Sequence, residues 1–120
     1  MTRVLIQSNY VGQPEVEILV ADCRIDNLTF SVVKMHGLVP PIDFSVLMFE
    51  FSKNITYAAT YEIIKYSIFK LIGILKKKNA QQMHSIRVVN NDKASIIEIS
   101  FELTDEQKDK LVDAAIKAVI

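Results

Sequence analysis

From Ile55 to Lys77, large apolar side chains recur at steps of three and four along the chain, the spacing of one face of an α-helix. Tyr57, Ala58, Tyr61, Ile64, Ile68, Leu71, Ile72 and Leu75 make the main stripe, while Ile63, Tyr66, Phe69 and Ile74 fall outside it. Only Thr56, Thr60, Glu62, Lys65, Ser67 and Lys70 supply a polar strip. Such a helix, roughly 33 Å long at 1.5 Å per residue, needs cover on more than one side. One sheet face covers one side only. A second layer of the same chain, a partner protein or a second copy must cover the rest. Tyr57, Tyr61, Ile63, Tyr66, Phe69 and Ile74 are therefore the candidate interface, read as the contact with a protein partner or in a homo-oligomer. Glu62, Lys65 and Lys70 interrupt the apolar run, and charges at a bilayer's centre are costly, so no membrane span is expected.

The elements before this helix read as strands. Thr2 to Ser8 is a short apolar run, Val16, Ile18 and Val20 alternate with Glu15, Glu17 and Leu19, and Leu28 to Val33 is rich in β-branched and aromatic types. Gly12-Gln13-Pro14 and the stretch from Asp22 to Asn27 supply turn chemistry between them. Short joints of this kind imply an antiparallel meander. Gly37 and Pro40-Pro41 then break regular structure, and Ile42 to Phe51 reads equally as a fourth strand or a short helix.

After the helix, Ile86 and Val88 face one way, Asn90-Asn91-Asp92-Lys93 turns, and Ile97, Ile99, Phe101 and Leu103 alternate with Glu98, Ser100 and Glu102. Thr104-Asp105-Glu106-Gln107 is a capping box opening a last helix, buried through Leu111, Val112, Ala115, Ile116 and Val119. The expected fold is one α+β domain over residues 1–120 in two layers. An antiparallel sheet of about five strands carries two main helices on one face, in the order βββ-α-ββ-α.

The chemistry-bearing residues are sparse. Fourteen basic and fourteen acidic side chains balance, whereas nucleic-acid binders carry a basic excess, so no nucleic acid is expected. Cys23 is the single cysteine, which forbids an intramolecular disulfide and points to the reducing cytosol. Its neighbour Arg24 could favour a thiolate, yet the plainer reading is a passive turn cysteine. His36 lies beside a glycine and two prolines, and His84 opens a strand; neither belongs to a metal-binding motif. Glu15, Glu17, Asp22 and Asp26 lack the spacing of a calcium loop and read as a solvated face. The three glycines lie far apart and form no phosphate loop, and no GxSxG elbow occurs. No catalytic, cofactor or metal residue is assigned. Lys76-Lys77-Lys78, in company with Arg87, is the candidate contact for an anion or acidic partner. Completion of the helix dipole explains the same run.

An apolar, alanine-containing helix ending in a basic run spans Ala58-Ala59-Thr60 through Ile74-Leu75-Lys76-Lys77-Lys78. The strand Ile86-Arg87-Val88-Val89, the polar turn Asn90-Asn91-Asp92-Lys93 and the strand Ile96-Ile97-Glu98-Ile99 follow it. Over roughly residues 55–102 this pattern resembles the effector-associated constant component, a small non-catalytic adaptor of bacterial conflict systems. The glycine-rich segment before the helix and the tryptophan before the basic run are missing here. The resemblance implies an adaptor and carries over no site residues. The expected function is a non-enzymatic protein-interaction module: an adaptor, assembly or neutralising component. The alternatives are a small-ligand or nucleotide-binding regulatory domain, and a small enzyme built from scattered residues such as His84, Glu98 and Tyr61.

Overall fold

The structure is a computed structural model that describes residues 2–25, 27–33, 44–78 and 83–120. Within these ranges the order is β1 (Thr2–Ser8), α1 (Gln13–Asp22), β2 (Leu28–Val32), β3 (Phe44–Glu50), α2 (Tyr57–Lys77), β4 (Met83–Asn90), β5 (Lys93–Ser100) and α3 (Asp105–Val119). The five strands form one sheet in the order β2-β1-β3-β4-β5. The α+β class holds, but the sheet is mixed. β1 pairs β2 in parallel and β3 pairs β4 in parallel, while β1–β3 and β4–β5 are antiparallel.

That mixture follows from the main correction to the expected order. The segment read as a second strand is helix α1. In a strand Val16, Ile18 and Val20 would share the buried face; instead Val16 and Leu19 are buried, while Ile18 and Val20 are 66% and 53% exposed. Three-residue spacing wins over alternation because the start of the segment is built for a helix. Pro14 sits in the first turn, where no backbone donor is needed, and the Glu15 carboxylate accepts the Gly12 N–H at 2.9 Å. A parallel pair also requires a crossover between its strands, and α1 is that crossover. The chain is thus two β-α-β units, β1-α1-β2 and β3-α2-β4, joined through the central antiparallel pair, with β5 and α3 added at one side.

The ambiguous segment is strand β3 from Phe44; Ile42 and Asp43 lie outside the described residues. Gly37, Pro40 and Pro41 lie outside them too. Strand β5 ends at Ser100, so Phe101 and Leu103 sit half-buried in the turn before α3 rather than in the strand. The hairpin turn is tight: Asn90 pairs with Lys93, and Asn91 takes the left-handed conformation at φ 56°, which asparagine tolerates. The Thr104 capping box forms, with Gln107 N–H donating to Thr104 Oγ1 at 3.2 Å and Thr104 N–H to Gln107 Oε1 at 3.0 Å.

Register aligns one continuous apolar face. Val4 lies opposite Phe30 and Phe49, Leu47 opposite Ile6 and Val88, and Ile86 opposite Ile97. These side chains share a single core with residues of α1, α2 and α3, so three helices, not two, cover this face. The alternate side chains Arg87, Ile96 and Glu98 are exposed on the other. α2 sits centrally, with Ile64, Ile68, Leu71 and Leu75 almost wholly buried. Thr60 and Ser67, expected in the polar strip, are buried as well; their hydroxyls bond back to the carbonyls of Thr56 and Ile63 at 2.9 and 2.8 Å, which satisfies them within the helix. Leu111 departs from the expected stripe of α3 and is 40% exposed. Among the described residues no helix is long and apolar enough to cross a membrane.

Candidate functional site

α2 has two flanks. On one, α3 packs directly: Tyr61 donates its hydroxyl to Asp113 at 2.6 Å, and Lys65 pairs with Asp109 at 3.2 Å. The Asp113 hydrogen bond, reinforced by partial burial, raises the Tyr61 pKa, and Lys117 and Tyr61 together lower that of Asp113. On the other flank the helix layer opens between α1 and α2 into a groove of about 770 Å³. Its apolar walls are Ile18 and Leu19 from α1 and Tyr66, Phe69 and Ile74 from α2, with Gly73 between them. A cleft of this size and lining has the usual dimensions of a ligand site.

Two ion pairs span the groove. Lys70 of α2 meets Asp22 at the C-terminal end of α1, and Lys78 meets Glu15 at its N-terminal end. Glu15 and Asp22 are seven residues apart, so the struts stand roughly 10 Å apart along α1 at 1.5 Å per residue. The groove is therefore bounded at both ends. The Lys78 ammonium, with the Gly12 backbone N–H behind it, lowers the Glu15 pKa from 4.5 to about 2. Lys70 lowers that of Asp22 in the same way. Lys77 also lines the groove. Among the described residues it is the lining charge without an ion-pair partner.

Two features of the groove oppose local stability. Tyr66 packs its ring against Phe30 with centroids 6.2 Å apart, yet its buried hydroxyl has only the weak Cys23 thiol beside it as a partner. Burial, then the nearby Cys23 thiol and Asp22 carboxylate, push its pKa up to about 12, so the phenol is neutral at physiological pH and able to donate. Gly73 stands inside a 21-residue helix, and a Cβ added there would meet nothing within 4 Å. A glycine in a helix interior costs about 1 kcal/mol relative to alanine, and no packing against the described residues requires one here.

The structure thus joins part of the predicted interface set to part of the basic run. Tyr66, Phe69, Ile74, Lys77 and Lys78 share the groove. Ile63 belongs to the core, Tyr61 to the α3 contact, and Tyr57 is 63% exposed at the start of α2. Lys76 is exposed and does not line the groove, and Arg87 lies on the sheet face opposite the described helices. Ile18, Leu19, Asp22 and Gly73 were not singled out as site residues from sequence. A helical start signal at Pro14-Glu15 and a glycine amid helix-forming residues were the available clues.

The residues of the enzyme alternative do not converge. Glu98 is on the sheet face opposite His84, and Tyr61 is held by α3. His84 is buried, its Nε2 2.8 Å from Ser45 Oγ, which in turn donates to Ser8 Oγ at 2.8 Å. Ser45 is fully buried, out of reach of a substrate. Cys23 is a half-buried free thiol 3.7 Å from the Ile25 carbonyl. Of the acidic set, Glu15 and Asp22 are ion-paired, Glu17 is exposed, and Asp26, like His36, lies outside the described residues. Among the described residues no cluster could hold a metal ion. A scan against protein-family models found no match, and searches of curated proteins and of solved structures found none.

Proposed function

We propose that the protein is a non-enzymatic cytosolic binding domain that accepts a small apolar ligand in the groove between α1 and α2. The observation that supports this most is Gly73. A helix-interior glycine with open space above it forgoes stability, and the space it leaves lies where a ligand would touch the backbone. Concavity separates this reading from a flat adaptor surface, since the ion-pair struts bound the groove on two sides. A thermal-shift screen of apolar small molecules tests it. Compounds that raise the melting temperature of the native chain but not of Gly73→Leu are expected. Equal stabilisation of both proteins, or of neither, contradicts the reading.

A protein-interaction module, as the resemblance to conflict-system adaptors implies, is the second reading. It is favoured by Ile18 at the lip of the groove and Tyr57 near the start of α2, 66% and 63% exposed. In this case a partner's apolar side chain would enter the same groove as an anchor. Light scattering after size exclusion, across a range of concentrations, distinguishes self-association from a monomer that needs a different partner.

A further inference from the structure

We infer that the ligand of the α1–α2 groove is a small amphipathic monoanion, a single-chain carboxylate with its apolar body over Gly73 and its head at Lys77. This inference rests on the ligand-binding reading above and adds the chemistry of the ligand. The charges at the groove decide the sign. Three lysines, Lys70, Lys77 and Lys78, face two carboxylates, Glu15 and Asp22, and both carboxylates are already paired. One positive charge, that of Lys77, is left over to match a monoanion.

Its position is equally informative. Glu15 pairs with Lys78, so the N-terminal end of α1 and the C-terminal end of α2 meet at the same end of the groove. The partial charges of the two helix ends oppose each other there, so Lys77 alone sets the sign. Away from this end the walls are Ile18, Leu19 and Phe69, with Tyr66 beyond them. The ligand therefore has one charged end and an aliphatic or aromatic body.

Calorimetric titration of the full chain tests this with three ten-carbon probes below their micellar concentrations: decanoate, decanol and decyltrimethylammonium. Decanoate is expected to bind one to one, about tenfold more tightly than the cation, and to weaken as salt rises. Lys77→Gln should lower decanoate affinity by about threefold to fivefold, as loss of a solvent-exposed ion pair does. Gly73→Leu should abolish binding by all three probes, with circular dichroism confirming an intact fold, because leucine favours helix and meets open space. Equal binding of decanoate and the cation, unchanged in Lys77→Gln, overturns the anionic head while leaving the ligand-binding reading in place. Binding of no probe, or binding by Gly73→Leu equal to the native chain, overturns both.

Discussion

Glu15 serves both its own helix and the contact between helices: it accepts the Gly12 N–H at the start of α1 and pairs with Lys78 of α2. Its pKa is lowered from 4.5 to about 2, so the folded state holds the carboxylate charged more firmly than the unfolded state. The stability this provides is complete above about pH 4.5 and is lost as pH falls through the folded value near 2. Lys78→Gln removes the largest cause of the shift. In urea denaturation the variant should be less stable than the native chain at pH 6, and the gap should narrow as pH falls towards 2. A gap that is constant with pH would show that Lys78 acts by packing alone. Gly73→Ala should raise stability by about 0.5–1 kcal/mol, since it restores helix propensity without a clash. Destabilisation would mean that the helix backbone there is not the one described. Thr104→Ala should cost about 1 kcal/mol by leaving the Gln107 N–H without its acceptor. An unchanged denaturation midpoint would place the start of α3 elsewhere.

At the level of elements, periodicity located α2, the β4–β5 hairpin and α3 because each has a local signal, three-and-four spacing, a polar two-residue turn or a capping box, although β5 ends before Phe101 and Leu103 and Leu111 leaves the stripe of α3. It failed at α1 because Val16, Ile18 and Val20 alternate by chance over a segment too short to show its period. The stronger information was punctuation, Pro14 in the first turn and Glu15 positioned to take the Gly12 N–H. Parallel pairing of β1 with β2 had no signature of its own, because it depends on a crossover that a strand assignment had removed. The site shared that fate. Its α2 wall was legible as surplus apolar residues ending in lysines, whereas the α1 wall was invisible while α1 was a strand. The central position of α2 gives an element-scale expectation: Ile68→Ala, fully buried beneath the sheet's apolar face, should destabilise the domain by about 2–5 kcal/mol. A loss below about 1 kcal/mol, measured by chemical denaturation, would show that α2 does not form the centre of the core.

For the molecule as a whole, the helix that is apolar nearly all round finds cover unequally. The sheet takes its inner side, α3 takes one flank with hydrogen bonds and ion pairs, and α1 stands off the other flank, held by two ion-pair struts. The excess of large side chains beyond the main stripe thus becomes the wall of a groove. An unneeded glycine and an unpaired lysine both fall within it. Departures from local consistency that gather in one place mark function more often than error in a chain that otherwise folds well. A two-dimensional amide NMR titration of the isotope-labelled full chain with decanoate tests this account most directly. It predicts saturable shifts concentrated at Ile18, Leu19, Tyr66, Phe69, Gly73 and Lys77. Shifts centred instead on Arg87, Ile96 and Glu98 across the opposite sheet face, or no saturable shift at all, would contradict it.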